Sequence, residues 1–339
     1  MKDIFWSNKN VFITGINGFV GGNLAEDLVA RGANVYGLIR NVTEKSYLYF
    51  MNINKNIEFI IGSITNKELL KSFFSENNID VCFHLAAQVE VGVAADYPYL
   101  TWETNVRGTY TLLEAIREST NNDFAIIMAS SDKAYGEYPP EELPYKEDYP
   151  LKPIYPYDTS KACADLIAQS YSSNLYNMSI VITRFANIYG PGQLNFSALI
   201  PDAIRCALGY GKFIPRTNGS SKRDFLFVKN VSQLYCRIAK ELIQKKEKIK
   251  GHVFNAGTNE QKSVREVVEN IFISLEQKNE LIEIEKIFKK NKTTKGEINF
   301  QSMDYNKVES YFGWTPKTAF NDGLSITIEW YKKYLKENY

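Results

Sequence analysis

The sequence has few of the residues from which metal sites and disulfide frameworks are built. It contains two histidines and four cysteines in 339 residues. His84 lies in an apolar, strand-like run, where a core role is expected rather than that of a catalytic base. No C-x-x-C pair occurs, so we expect buried free thiols and neither a disulfide nor a bound metal. The four cysteines are Cys82, Cys163, Cys206 and Cys236.

The chain also has almost no net charge and no long apolar segment. The chain has 40 lysines and arginines against 39 acidic residues, so its net charge is +1. A balance of this kind creates no general attraction for nucleic acid or for an anionic membrane. No apolar run approaches the ~20 residues of a membrane span, and the first ten residues contain no apolar signal segment. The sequence therefore predicts a cytoplasmic protein with neither a nucleic-acid nor a membrane partner.

Residues 10–41 predict a β-α-β unit. Val11-Phe12-Ile13 is a short, branched apolar run that is typical of a buried strand. A helix from Asn23 to Arg31 follows, and Gly32 ends it. The next strand runs from Val35 to Ile39, which completes the unit.

Three glycines join the first strand to the helix at G-x-x-G-x-x-G spacing. Gly15 would permit a tight turn, Gly18 would let the backbone approach a diphosphate, and Gly21 would let the helix pack on the sheet. The helix N-terminus would direct N–H groups and a partial positive charge at a phosphate. In this strand-turn-helix context the spacing predicts dinucleotide binding rather than an ordinary turn.

Strand-like and helical segments continue to alternate after this unit, which predicts a Rossmann-type, doubly wound parallel sheet. The alternation loosens from about Asn187, so we expect a smaller C-terminal substrate-binding lobe. We assign residues 1–186 and about 224–258 to the dinucleotide-binding domain, and 187–223 and about 259–339 to the lobe. Within the lobe, Ile282 to Ile284 is predicted to be a strand in a charged, solvated segment. Further predicted strands are 58–61, 81–85, 125–128, 179–182 and 253–257, and further helices are 67–76, about 102–118, 159–175 and 263–275.

Tyr157 and Lys161 are the first candidates for chemistry. Their spacing of four puts them on one face of a helix that follows the fifth strand. An ammonium beside the phenol would lower the tyrosine pKa from about 10, so that Tyr157 could take a proton from a sugar hydroxyl. Such pairs also arise by chance in a chain with 22 tyrosines, so the neighbouring motifs must decide.

A polar run from Ser130 to Lys133 follows the apolar strand that ends at Ala129. Polar groups at the carboxyl edge of a sheet are costly to bury without a purpose, and ligands of doubly wound sheets bind at this edge. The run therefore predicts catalytic groups beside a nicotinamide. The alternative is an ordinary turn rich in serine and aspartate.

Taken together, short motifs between Val11 and about Tyr331 resemble the extended short-chain dehydrogenase/reductase family that acts on nucleotide sugars. Phe5-Trp6 and the segment Ser130 to Gly136 are most similar to the CDP-glucose 4,6-dehydratase branch, and the GDP-mannose 4,6-dehydratase branch is also similar. The other motifs are Gly15/Gly18/Gly21, Leu85-Ala86-Ala87, Asn105 to Thr109, Tyr157/Lys161, Arg184 to Gly192, Arg223-Asp224-Phe225, Gly313 to Pro316 and Asp322-Gly323-Leu324.

The resemblance implies conversion of a nucleoside-diphosphate hexose, with CDP-glucose favoured, to its 4-keto-6-deoxy derivative. In that reaction Tyr157, assisted by Lys161 and Ser131, oxidises the C4 hydroxyl while hydride passes to a nicotinamide. A base then removes the C5 proton, Asp132 protonates the departing C6 hydroxyl, and the hydride returns to C6. Lys133 stands at the base position, where many relatives have glutamate, and it would either act as the base or stabilise the enolate.

The resemblance also implies a tightly bound, recycled NAD(P). No acidic residue follows the second strand to select NAD, and Arg40 there would pair with a 2′-phosphate or stack on adenine. NADP is slightly favoured and NAD is left open. Ser63 stands where relatives often have an aspartate facing the adenine. The implied cofactor residues are Gly15, Gly18, Phe19, Val20, Gly21, Arg40, Leu85, Ala86, Ala87, Asn105, Tyr157 and Lys161.

For the substrate, the resemblance implies contacts from Gln88, Asn187, Arg216 and Arg223, and the arginine fork suits phosphate oxygens. Arg216 is equally well read as a surface arginine. Family members commonly dimerise through the helices predicted at 102–118 and 159–175, so a homodimer or a dimer of dimers is expected. Two rival functions are a 4-epimerase, which needs no Asp132-Lys133 pair, and a non-catalytic NAD(P)-binding scaffold, which needs no activated phenol.

Overall fold

A computed structural model describes residues 4–215, 217–291 and 298–339. Its centre is a seven-stranded sheet in the order β3-β2-β1-β4-β5-β6-β9, in which every neighbouring pair is parallel. A small sheet pairs β8 with β7 and β10. The strands are β1 (Asn10–Thr14), β2 (Asn34–Ile39), β3 (Ile57–Ile61), β4 (Val81–His84), β5 (Ala125–Ala129), β6 (Ile180–Phe185), β7 (Asn187–Tyr189), β8 (Lys222–Phe227), β9 (Val253–Ala256) and β10 (Gln261–Ser263).

Helices cover both faces of the large sheet and surround the small one. Within the described residues, none of them is both long and apolar enough to cross a membrane. A π-helical segment, Trp102–Arg107, joins α5 to α6. The helices are α1 (Phe19–Arg31), α2 (Tyr47–Phe50), α3 (Lys67–Glu76), α4 (Val91–Asp96), α5 (Pro98–Thr101), α6 (Gly108–Arg117), α7 (Pro156–Ser172), α8 (Leu199–Ala207), α9 (Val228–Gln244), α10 (Lys246–Ile249), α11 (Val264–Ser274), α12 (Lys278–Lys290), α13 (Asn306–Phe312) and α14 (Phe320–Asn338).

The large sheet is buried on both faces, which explains its continuous apolar strands. In β1, Val11 and Ile13 belong to one apolar cluster and Phe12 to another, because successive side chains point to opposite faces. The ring of Phe12 lies 4.8 Å from that of Phe73 and 5.0 Å from that of Phe74, both on α3. The predicted Rossmann-type sheet is confirmed, and its order reverses between β1 and β4.

The small sheet belongs to the C-terminal part of the chain. Strand β8 lies in it, whereas β9 returns to the large sheet beside β6. The chain therefore crosses between the two sheets more than once. The division into a domain and a lobe, with its boundaries, stays a prediction.

Three predicted elements differ from the structure. Helix α1 begins at Phe19, since Gly18 is extended and serves as the N-cap. Helix α7 begins at Pro156, a residue suited to the first helical position, and this puts Tyr157 in its first turn. The predicted strand at 282–284 is wrong, because that segment lies within α12, where Ile284 and Phe288 are buried at helical spacing.

All four cysteines are free thiols, but they are not equally buried. Cys82, Cys206 and Cys236 are buried, as predicted, whereas Cys163 on α7 is half-buried. Burial raises the pKa of the Cys82 thiol, so this side chain behaves as an apolar core residue.

Candidate active site

A crevice of about 1410 Å³ opens at the carboxyl ends of the parallel strands, where the strand order reverses. Small-ligand pockets usually measure about 300–1,000 Å³, so this one has room for a dinucleotide and a second ligand. It runs from the turn after β1 to the small sheet. The predicted site residues that line it are Gly15, Gly18, Phe19, Val20, Gly21, Arg40, Leu85, Ala86, Ala87, Ser131, Asp132, Lys133, Tyr157, Lys161, Asn187 and Arg223.

The glycine turn leaves no space for side chains. Gly15 has a φ of +70°, and a Cβ there would lie 2.8 Å from the amide nitrogen of Ala86. A Cβ on Gly21 would lie 2.3 Å from the carbonyl oxygen of Gly15. The first turn of α1, whose N–H groups have no partner inside the helix, lines the crevice at this point. This close-packed cradle fits a dinucleotide diphosphate.

Thr14 fixes the neighbouring strand end, a role that the sequence reading missed. Its hydroxyl oxygen accepts hydrogen bonds of 3.1 Å from the amides of Leu85 and Ala86. It lies 2.8 Å from Nδ1 of His84, and since the oxygen already accepts twice, its hydrogen donates to that nitrogen. Nε2 of His84 then donates to the Thr109 hydroxyl over 3.1 Å. The only available sequence signal was the position of Thr14 next to Gly15.

His84 is a buried structural residue, as predicted. Burial, with a smaller contribution from the charge of Lys161, lowers its pKa to about 3. The ring therefore stays neutral and keeps one acceptor and one donor nitrogen, which is the arrangement that its two threonine partners require.

Two residues that were predicted to contact ligands, Asn105 and Gln88, do not line the crevice. Asn105, in the π-helical segment, accepts from the amide of Gln88 over 2.7 Å and donates to the carbonyl of Gln88 and the hydroxyl of Ser160. The side chain of Gln88 bonds to Thr101 and to the carbonyl of Glu90. Both polar ends of each side chain are thus bonded within the protein, and their contacts with a cofactor or substrate stay a prediction. Asn105 fixes the loop that carries Ala86 and Ala87.

Tyr157 and Lys161 both reach the crevice from α7. The Lys161 ammonium donates to the carbonyl of Ala129 at the end of β5, and burial lowers its pKa to about 8 against the opposing charge of Asp165. Burial, and then the charge of Asp132, raise the pKa of Tyr157 well above 10, while a hydrogen bond with Ser131 opposes this rise. The expected lowering by Lys161 is not seen, since burial dominates and the ammonium bonds a carbonyl instead.

The segment Ser131 to Lys133 forms a tight turn after β5. The Ser131 hydroxyl accepts from the amide of Lys133 over 3.2 Å and donates to Oδ1 of Asp132 over 2.9 Å. Asp132 is 3% exposed. Its other oxygen, Oδ2, accepts from Nε2 of Gln301 over 3.1 Å, and the Lys133 ammonium donates to Oε1 of the same glutamine over 2.7 Å. The sequence reading missed Gln301, which no local motif marks.

A second buried network connects this turn to α7. The Tyr135 hydroxyl donates to Asn255 over 2.8 Å and accepts from Arg184 over 2.9 Å. Arg184 in turn holds Asp165 of α7 through two bonds of 2.8 and 2.9 Å. Because the guanidinium and the carboxylate are both buried and mutually satisfied, the turn and α7 are held in a fixed relation.

Asp158 is a further titratable group in the crevice. Burial raises its pKa to about 6, Lys133 opposes the rise and Asp132 adds to it. Its place next to Tyr157 was the only signal in the sequence.

The far end of the crevice carries the predicted substrate residues. Asn187 donates to the carbonyl of Asp224 over 3.3 Å, and Arg223, 7% exposed, donates to the carbonyls of Lys222 and Asn299. Arg216 lies outside the described residues. Asp224, in the same motif, is buried and accepts from Thr258 and from the amide of Met303, so its role is structural. Apolar walls complete this end: Leu199, Ile200, Phe213, Pro215, Val264 and Phe288.

Arg40 lies at the opposite end of the crevice. It is exposed, and Asn41, Thr43 and Ser63 line the crevice with it. The hydroxyl of Ser63 bonds that of Thr65 over 2.8 Å. Across the described ranges, no group of three or more histidine, cysteine or acidic side chains is arranged to hold a metal ion.

Comparisons with known proteins agree with this arrangement. A family model described as GDP-mannose 4,6 dehydratase matches residues 12–327. The chain is 30% identical to dTDP-D-glucose 4,6-dehydratase of Homo sapiens over 332 residues, 96% of this chain and 90% of that protein. It is 28% identical to CDP-glucose 4,6-dehydratase of Salmonella typhimurium over 344 residues, 98% and 93%. A crystal structure of dTDP-glucose 4,6-dehydratase from Bacillus anthracis in complex with NAD has a TM-score of 0.78 at 29% identity, covering 96% and 97%.

Proposed function

The chain belongs to the GDP-mannose 4,6-dehydratase family, and we propose that it converts a nucleoside-diphosphate hexose to its 4-keto-6-deoxy derivative. The observation that carries this proposal is the convergence of two sets of groups in one crevice. Tyr157 and Lys161 form an oxidation set, and Asp132 and Lys133 form an elimination set. The glycine cradle at the other end supplies a diphosphate site for NAD(P).

The first proposed step is removal of the proton from the C4 hydroxyl of the hexose. Tyr157 would accept that proton as phenolate, which the Ser131 hydroxyl would stabilise by turning its hydrogen from Asp132 to the phenolate oxygen. Lys161, held by the carbonyl of Ala129, supplies the nearby positive charge. The glycine turn, Ala86 and Ala87 would hold NAD(P), and the chemistry that this cofactor would supply is reversible hydride transfer.

The second proposed step is the loss of water across C5 and C6. A C4 ketone acidifies the C5 proton, and Asp132 would protonate the departing C6 hydroxyl. As an amine, Lys133 would remove the C5 proton and give it back to C5 when hydride reaches C6. As an ammonium, it would stabilise the enolate. Its hydrogen bond to the carbonyl oxygen of Gln301 fits both roles, because an amine and an ammonium each carry an N–H donor.

The proposed substrate is CDP-glucose. Support comes from the Ser-Ser-Asp-Lys segment, in which lysine rather than glutamate follows the acid, and from the 28% identity to CDP-glucose 4,6-dehydratase of Salmonella typhimurium. Asn187 and Arg223 would bind the diphosphate, and the apolar walls beside α8 and α11 would enclose the base.

The proposed cofactor is NADP. Arg40 is exposed at the end of β2, where a 2′-phosphate would meet its guanidinium. NAD is the alternative, since the related Bacillus anthracis structure is a complex with NAD.

One experiment tests both proposals. Purified enzyme is incubated with CDP-, GDP-, UDP- and dTDP-hexoses, and the masses of the products are measured by mass spectrometry. We expect loss of one water from CDP-glucose, and release of NADP when the protein is denatured. A product of unchanged mass would mean epimerisation, and no reaction with any sugar would favour a non-catalytic scaffold. Release of NAD would refute the role of Arg40.

A further inference from the structure

Gln301 touches both groups of the proposed elimination set, although it lies 168 residues from Lys133 and 169 from Asp132. Its side chain is fully buried. The side-chain carbonyl accepts from the Lys133 ammonium over 2.7 Å, and the side-chain amide donates to Asp132 over 3.1 Å. Gln301 therefore lies between an anion and a cation that neighbour each other in sequence.

Chemistry fixes the orientation of this amide. An ammonium has no acceptor, so it must meet the glutamine oxygen, and a carboxylate has no donor, so it must meet the NH₂ group. Reversal of the amide would break both bonds at once. The bridge therefore has one satisfied arrangement, and leaving a buried charged group without its partner would cost free energy.

The backbone on both sides of Gln301 is anchored. The backbone N–H of Gln301 donates to the carbonyl of Lys222 over 3.2 Å, next to Arg223 on β8. Ser302 accepts from the amide of Tyr145 over 2.9 Å, and the amide of Met303 donates to Asp224. The glutamine is thus presented to the turn after β5 by the same sheet that carries the predicted diphosphate arginine.

We propose that Gln301 is a positioning residue for the elimination step, and that it keeps Asp132 and Lys133 from forming a direct ion pair. This inference rests on the proposed dehydratase function. A direct ion pair would draw the two side chains towards each other, so neither group would stay in the position that its bond to Gln301 gives it. With the amide between them, each group stays oriented and separately available to adjacent carbons.

Other charged and titratable groups also face this pair, and they set the background against which Gln301 acts. Tyr157 and Asp158 of α7 sense the charge of Asp132, and Tyr145 senses both Asp132 and Arg223. These groups remain unchanged in a Gln301 variant. A shift in the pH profile of such a variant would therefore report the altered Asp132–Lys133 contact.

The test compares Gln301→Leu and Gln301→Glu with the wild type. In each enzyme, transient absorbance of the reduced nicotinamide reports C4 oxidation, and loss of water from CDP-glucose reports elimination. We expect Gln301→Leu to keep oxidation and to slow elimination by about 10- to 100-fold, the cost of a misplaced catalytic group. The pH above which elimination declines should fall, because direct contact with the Lys133 ammonium would favour the charged form of the acid.

Gln301→Glu should move that pH in the opposite direction. A second carboxylate beside Asp132 would repel the charged form of the acid. Ser302→Ala is the matched control, because Ser302 lies on the same buried segment and its side chain bonds Asn259. The control should match the wild type in both steps.

Normal elimination by Gln301→Leu would overturn the inference while leaving the proposed function intact. Equal loss of C4 oxidation and elimination would also overturn the inference. So would pH profiles that shift in the same direction in both variants, since a merely structural role predicts these results. If the leucine variant does not fold, the near-isosteric glutamate variant tests the inference by itself, through its own slower elimination and its opposite shift of the pH profile. A wild type that dehydrates none of the sugars would remove the proposed function and the inference together.

Discussion

Asp132 accepts hydrogen bonds at both carboxylate oxygens, from the Ser131 hydroxyl and from the Gln301 amide. Its role as an acid requires a proton on one of these oxygens when the C6 hydroxyl departs. The Ser131 hydroxyl can rotate away from Asp132 towards the phenol of Tyr157, with which it also forms a hydrogen bond. A serine shared between acid and phenol would therefore connect the oxidation and elimination steps.

Replacing the acid should separate these two steps. Asp132→Asn cannot donate a proton to a departing hydroxyl, so we expect C4 oxidation to persist while elimination slows by about 100-fold or more. Transient absorbance of the reduced nicotinamide, followed alongside water loss, measures the two steps. Tyr157→Phe serves as the opposite control, because it should abolish oxidation itself. Equal loss of both steps in Asp132→Asn would place the acid elsewhere.

At the scale of elements, the turn between β1 and α1 depends on contact between backbones. Gly21 and Gly22 are adjacent in α1, yet their surroundings differ. A Cβ at Gly21 would lie 2.3 Å from the carbonyl oxygen of Gly15, whereas at Gly22 the nearest atom is 3.2 Å away in the ring of Tyr47. A ring can shift by a few tenths of an ångström, but the carbonyl of a tight turn cannot.

This difference gives a matched pair of substitutions. Gly21→Ala should lower the free energy of unfolding by about 1–3 kcal/mol through overpacking and should reduce the nucleotide that copurifies with the protein. In Gly22→Ala, better helix propensity offsets the tighter contact, so the change should stay below about 1 kcal/mol. Denaturant unfolding and nucleotide content measure both effects. Equal behaviour of the two variants would mean that the cradle is not close-packed.

At the scale of the whole molecule, apolar side chains are exposed on α6 and α7, which lie in the segments predicted to form a dimer, and on the neighbouring α5. Tyr99 on α5 is 74% exposed, Tyr110 on α6 is 42% exposed, and Leu166 on α7 is 56% exposed. Helices α6 and α7 pack against each other, and α5 packs against α7. A partner copy on this surface would remove the three side chains from water.

We therefore expect Leu166→Glu to weaken self-association. Sedimentation velocity should show the wild type at twice 38.8 kDa and the variant shifted toward the monomer. A buried, unpaired carboxylate at an interface is the physical cause. Ile326→Glu is the control, because Ile326 is 51% exposed on α14, away from these helices, and should not change the mass. A monomeric wild type would refute the predicted dimer.

The sequence by itself determined the parallel sheet, the glycine turn, the Tyr157/Lys161 pair and the polar run after β5. Each of these follows from local patterns: continuous apolar runs, glycine spacing and a separation of four on a helix. The α12 segment was misread as a strand because a three-residue window cannot distinguish apolar alternation from helical periodicity. The helical spacing shows only when Phe288 is included.

Only the tertiary structure decided which groups meet and how they are charged. Gln301 reaches Asp132 and Lys133 from more than 160 residues away, and no local pattern encodes that contact. The pKa of Tyr157 rises instead of falling, because burial outweighs the charge of a lysine whose ammonium is bonded to Ala129. Burial and long-range pairing arise when the chain closes on itself, and they set the chemistry of groups that the sequence had only located.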